Sequence, residues 1–208
     1  MFNIKYMGYY KEETQLINGA ALPINAVQFK EGDNLSSIFI FGAMVGMPFI
    51  LSMILFAYFK MKEVNYGYTF ELNSVTIITY LVTCFLMVAL LFVHEFIHAI
   101  LFPLKAEKTI WFYPQQGALF VYCNALVSKI RFIVICLAPA MILGLIPFVL
   151  WYVFAKHIQM PYSYAIVVIS ITNVVASVGD FANVYNAIRQ VPKGAYIFNY
   201  GFHSFWLK

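Results

Sequence analysis

Charge is what this sequence has least of. Only 11% of its 208 residues are Asp, Glu, Lys or Arg, while 62% are hydrophobic and mean hydropathy is +0.79. A soluble domain carries about 25% charged residues, so an ordinary water-soluble fold is excluded and an integral membrane protein is expected. Runs of Lys or Arg are also missing. The net charge of +4 is scattered, which argues against nucleic acid as a partner and makes the basic residues markers of membrane orientation. Cysteine is scarce: Cys84, Cys123 and Cys136 are odd in number and show no CxxC spacing, so no disulfide framework is expected. Residues 1–33 are polar, aromatic and mixed in charge, with no early apolar stretch of signal-peptide type. The first spanning segment is then expected to act as its own insertion signal. Internal repeats and low-complexity tracts are absent, and the length suits one compact domain.

Long apolar runs are what the chain has in quantity. Four are each long enough for a bilayer core, which takes ~20 residues of helix: residues 35–59, 75–102, 132–154 and about 164–188. The first has no charge but carries Gly42, Gly46 and Pro48, which suggest close helix contact or a kink. The second has Glu95 as its only formal charge, the third is interrupted by Pro139 and Pro147, and the fourth carries only Asp180. Residues 1–34 form a lead-in, in which 22–30 has the look of a short extended piece at the membrane surface or an ordinary loop. Residues 189–208 form an aromatic tail expected at the interface. With four spans, the side holding both termini and the second loop carries ten Lys and Arg residues against three (Lys60, Lys62 and Lys156) on the other. That excess places both termini and the second loop in the cytoplasm. The expected fold is an all-α membrane protein of about four transmembrane helices. Its second loop is unusual: aromatic and β-branched residues flank Pro114-Gln115-Gln116-Gly117, a pattern that fits either a hairpin-like loop or an aromatic segment lying on the headgroups.

Inside the second apolar run stands His94-Glu95-Phe96-Ile97-His98, an instance of H-E-x-x-H. On a helix, residues four apart lie one turn above each other, so His94 and His98 share a face. Two imidazoles so placed supply half of a tetrahedral zinc site, and Glu95 beside them can take a proton from zinc-bound water. Ionisable residues are costly at membrane depth, which turns the motif into a functional hypothesis.

Catalytic zinc takes three protein ligands and an open position. Candidates for the third are Asp180, Glu107, His157, His203 and the uncharged Asn and Cys residues. His157 belongs to the loop on the far side, and Glu107 and His203 fall in segments where solvation costs nothing. Asp180 is the residue that requires a partner, being a lone carboxylate in a span. At ~1.5 Å rise per residue, His94 and Asp180 lie roughly 12 and 13 Å from the ends of their spans, a similar depth. Asn173, Asn183 and Tyr185 lie near Asp180 in sequence and are further candidates for orienting a ligand or touching a substrate backbone, or simply for bonding a neighbouring helix.

Taken together, the pieces resemble a known group. HEFIHA, Leu137-Ala138-Pro139, Val178-Gly179-Asp180 and the lead-in Leu22-Pro23-x-Asn25-Ala26-Val27-x-Phe29-Lys30 make the chain similar to a bacterial zincin-peptidase family of small membrane proteins. His94-Glu95-x-x-His98 on one span and Gly179-Asp180 on a later one also resemble the site-2-protease class of intramembrane zinc metalloproteases. The resemblance implies Zn2+ held by His94, His98 and Asp180, with Glu95 as general base. It implies cleavage of a membrane protein or peptide near the cytoplasmic face, and a substrate-pairing hairpin after the motif-bearing helix. The Asn-Pro and then Leu-Asp-Gly order usual in site-2 proteases is not kept here: the acid stands in Gly179-Asp180-Phe181 without that proline, and Asn173 lies seven residues upstream. A non-catalytic metal-binding membrane protein, an inactive protease-like adaptor, and a transporter or haem protein using His94 or His98 are the competing classes.

Overall fold

The computed structural model describes residues 3–17, 19, 21–32, 35–64 and 71–208. The helices are α1 (Thr14–Ile17), α2 (Leu35–Glu63), α3 (Ser74–Leu101), α4 (Lys129–Pro139), α5 (Ile146–Phe154), α6 (Tyr162–Ala176) and α7 (Val178–Gln190). The strands are β1 (Ile4–Tyr9), β2 (Val27–Gln28), β3 (Lys108–Tyr113), β4 (Ala118–Tyr122), β5 (Val127–Ser128), β6 (Tyr196–Tyr200) and β7 (His203–Leu207). Three helical stretches are long and apolar enough to cross a membrane: Ser36–Glu63, Ser74–Leu101 and Lys129–His157. There are four if α6 and α7, bent by 48° at their junction, count as one span.

Local chemistry sets the breaks. Asn73 caps α3 by accepting from Thr76 N at 2.9 Å, and Pro103 follows directly where the helix stops at Leu101. Ser128 caps α4 in the same way, accepting from Arg131 N. Pro139 ends α4 and the chain continues as a π-helical stretch, Ala140–Leu145, before α5. A proline cannot donate to the carbonyl four residues back, so the hydrogen-bond ladder is forced out of α register here. Between α6 and α7, the Ser177 hydroxyl donates to Asn173 O at 3.1 Å, a back-bond that favours bending.

The fold is mostly helical but not all-α. Two small sheets stand beside the helices, ordered β1-β3-β4 and β2-β7-β6-β5. β1 lies parallel to β3, and β3 pairs antiparallel with β4 across a short 3-10 turn, Pro114–Gln116, closed by Gly117 at φ 59°. The second sheet joins the lead-in to the tail: Val27 faces Trp206 and Gln28 faces Phe205, while β6 pairs with both β7 and β5. Aromatic and β-branched residues at both chain ends find strand partners far away in sequence, which no local pattern reveals. Buried Phe29, Phe102, Phe132, Ile135, Cys136 and Ile197 form the core that seats this sheet against α3, α4 and α7. A separate cluster around Trp151, Phe148, Met53 and Val174 joins α2, α5 and α6.

Candidate metal centre

α3 turns His94 and His98 inward while Phe92, Val93 and Phe96 stay exposed on its outer face. Both histidines are buried, at 5% and 8% exposure. Asp180 reaches them from the first turn of α7, just past the break at Ser177. Behind that turn lies α2, and two glycines allow the close approach. A Cβ at Gly42 would collide with the carbonyl oxygen of Val178, and one at Gly46 would press on the Phe181 ring. The acid is therefore positioned by a helix contact that admits no side chain.

His94 Nε2 lies 3.2 Å from Asp180 Oδ2, His98 Nε2 lies 3.3 Å from Asp180 Oδ1, and the two Nε2 atoms are 3.2 Å apart. A tetrahedral ion with ligands at about 2.0–2.1 Å spaces its ligand atoms about 3.3 Å apart. The Nε2–Nε2 separation is close to that figure, and each Nε2 lies at a similar spacing from one oxygen of the carboxylate, a different one for each histidine. The hydrogen bonding of His98 is compatible with such an ion: Nδ1 donates to Ile135 O at 3.0 Å, which in the neutral ring leaves Nε2 unprotonated. With both imidazoles neutral and their Nε2 atoms unprotonated, the lone pairs of these nitrogens and of the carboxylate would converge on one point and could share a cation there. His94 Nδ1 is buried without a protein partner among the described residues. His94, His98 and Asp180 could hold a metal ion.

The acceptor for His98 is not accidental. Ile135 O would normally receive the N–H of residue 139, but that residue is proline and has none. The carbonyl is left free, and His98 takes it. Proline in the third long helix thus fixes the ring orientation of a histidine on the second.

Glu95 points elsewhere. Its Oε2 accepts from Val121 N at 3.0 Å, which ties the carboxylate to β4. Among the described residues β4 has β3 on one side only. Tyr10 N donates to Phe112 O, so the β3 backbone at Phe112 is turned toward the N-terminal strand, and its cross-strand neighbour Leu119 faces away from β3. The outer edge of β4, where Glu95 holds the Val121 N–H and Leu119 also faces outward, therefore runs past Glu95 and the histidines. Between them lies a cavity of about 260 Å³, lined by His94, Glu95, His98 and Asp180 and, among others, by Leu119, Val121 and Phe202. Tyr122 also lines it. Burial raises its phenol to about 12, so it stays a neutral donor, and its hydroxyl bonds Asn199 O at 3.3 Å.

The remaining sequence candidates fall apart in space. Glu107 is exposed and paired with Lys5 at 2.9 Å. His157 closes a short turn after α5. His203 bonds Glu31 rather than the cluster. Asn173 is buried in α6 with its amide nitrogen on Ile169 O, Tyr185 packs on Phe41, and only Asn183 of that group lines the cavity. Cys136, one of the cysteines open as a third-ligand candidate, lines the cavity outside the cluster of His94, His98 and Asp180, and so does Glu31, which the sequence places in the lead-in with no role.

Residues 86–196, just over half the chain, match the family model described as "putative zincin peptidase". The chain belongs to that family. The matched stretch holds both histidines, Glu95, the hairpin, Pro139 and Asp180. No curated protein and no solved structure matches the chain.

Proposed function

We propose that this protein is a zinc-dependent, membrane-embedded endopeptidase that cleaves membrane-associated protein substrates near the cytoplasmic face. The observation that carries it is the spacing of the His94, His98 and Asp180 donor atoms, with Glu95 on the same helix and an open strand edge beside it. His94, His98 and Asp180 would hold the ion. When bound, zinc polarises the scissile carbonyl and acidifies a water. Glu95 takes the proton of the attacking water and passes it to the leaving amine nitrogen. Val121 N–H holds the carboxylate at the strand edge, so acid–base work and substrate pairing share one place. An extended substrate segment adds to the edge of β4 as a further strand, presenting its backbone to the cluster, and the apolar wall of Phe102, Leu119 and Phe202 takes its side chains.

The three or four long apolar helices support a multi-pass protein of the cell membrane, and the excess of Lys and Arg supports cytoplasmic termini. The bilayer and a membrane protein or peptide are its partners on this proposal. The experiment is a pair of measurements on Glu95→Gln in purified protein. Zinc content is expected to equal wild type, while hydrolysis of an unfolded transmembrane peptide falls by a factor of ~100 or more. Cleavage at the wild-type rate by this variant would refute the proposed role.

A further inference from the structure

Glu31 is a carboxylate in the cavity wall that neither the metal cluster nor the peptide chemistry uses. Its side chain is only 4% exposed. One oxygen is engaged: Oε1 accepts from Ser204 N at 3.1 Å and from His203 Nδ1 at 3.0 Å. Those bonds fasten the lead-in to β7, beside the point where Phe29 N donates to Ser204 O. The other oxygen has no hydrogen-bond partner among the described residues, and the residue faces the cavity.

The charge inventory of the cavity makes this oxygen informative. Among the described residues its lining carries Glu31, Glu95 and Asp180 but no Lys or Arg, in a protein whose net charge is +4. A divalent ion at the cluster offsets two of those carboxylates and leaves one. Lys30, the nearest basic residue in sequence, is absent from the lining, and its backbone N–H is taken by Gln190. Fastening β7 would need only a neutral acceptor, since both bonds to Glu31 end on one oxygen. His203 Nδ1 pairs with Oε1 alone, so the second oxygen is the acceptor left facing the cavity, and a buried carboxylate is stabilised by a cation that donates to it.

We propose that Glu31 selects substrates carrying a cationic group, either a Lys or Arg side chain close to the scissile bond or a free amino terminus. The word substrate rests on the peptidase function proposed above, but the binding preference does not. The test measures binding rather than turnover, by fluorescence anisotropy with full-length zinc-loaded protein in detergent. The probes are an apolar labelled peptide with one lysine, its norleucine twin, and each with a free or acetylated amino terminus. Wild type is expected to bind the better cationic peptide at least ~10-fold more tightly than the neutral one. Glu31→Gln is expected to erase that preference while leaving affinity for the acetylated norleucine peptide unchanged, because the amide oxygen keeps the bonds to Ser204 and His203. A preference that follows lysine identifies a basic side chain; one that follows acetylation identifies an amino terminus. Equal affinities in wild type, no binding of any of the peptides, or a preference that survives Glu31→Gln would overturn the proposal, and the wild-type comparison stands even if the variant does not fold. Selective binding without hydrolysis would leave Glu31's role intact and remove the peptidase function instead.

Discussion

Replacing Pro139 with alanine separates helix stability from metal affinity. Alanine restores a backbone N–H opposite Ile135 O, the carbonyl that now accepts from His98 Nδ1 at 3.0 Å. Loss of an outer hydrogen bond to a ligating histidine typically weakens metal affinity ~10–100-fold. The carbonyl has two lone pairs and can serve both donors in part, so the expected loss lies at or below the lower end, ~3–10-fold, or about 0.7–1.4 kcal/mol. The helix responds in the opposite direction. Proline in a helix interior costs up to ~3 kcal/mol relative to alanine, and removing it lets α4 continue in α register toward α5. Pro139→Ala should therefore bind zinc more weakly, measured by competition with a chelator of known affinity, while its thermal midpoint in detergent stays level or rises. A rise in the midpoint with unchanged zinc affinity would refute the link between this proline and His98. A parallel fall in both would point to general repacking.

Asp180→Ala should leave less than about a tenth of the wild-type zinc by elemental analysis at micromolar free metal, since two histidines alone make a poor site. Unchanged zinc would remove Asp180 as a ligand. Gly42→Ala should lower the thermal midpoint by the equivalent of ~1–3 kcal/mol, because the new methyl meets the Val178 carbonyl. Gly179→Ala is the contrast, with only an ordinary contact to the Phe39 ring at 3.8 Å and hence little change. For Glu31, burial raises the carboxyl above its ordinary 4.5, against the opposing bonds from Ser204 and His203. A raised folded-state value means the native state holds the proton more tightly than the unfolded chain. The resulting stabilisation is complete below about pH 4.5 and is lost as pH climbs through the raised value. Plotted against pH, the midpoint difference between wild type and Glu31→Gln should fall across that window, and a difference that rises would contradict the burial argument.

The helical part and the grouping of His94, His98 and Asp180 were legible because both are written in local patterns. Apolar runs of sufficient length mark the long helices, and a four-residue spacing puts His94 and His98 on one face. An acid alone in an apolar run points to a partner, and the structure brings Asp180 to the histidines. The 111–122 pattern left two outcomes open, and the chain takes the hairpin. What was not legible depends on contacts between distant residues. The pairing of Val27 with Trp206 and of Ile4 with Lys108 brings together segments that read separately as loop or tail. Glu31 looked like one more charge in a polar lead-in, since only the position of Ser204 and His203 shows it is buried. Pro139 did carry a readable signal, namely an α-helical carbonyl without its donor, but nothing in the sequence said which side chain would use it. The 48° bend at Ser177 was hidden for a similar reason, because a serine back-bond leaves hydropathy untouched.

The break between α6 and α7 also bears on how the protein is made. His94 and His98 leave the ribosome long before Asp180, and the cavity wall is not complete until Ser204 has followed. For most of synthesis the two imidazoles sit in a growing chain without their acid, in a setting where unpaired polar groups are costly. The Ile135 carbonyl precedes α7 in the chain and is the partner of His98 available before Asp180 is made. Asp180 follows beyond the bend at Ser177. A chain interrupted before α7 would hold an H-E-x-x-H helix with neither Asp180 nor the last residues of the cavity wall, so on the proposed function hydrolysis would be coupled to completion of the fold.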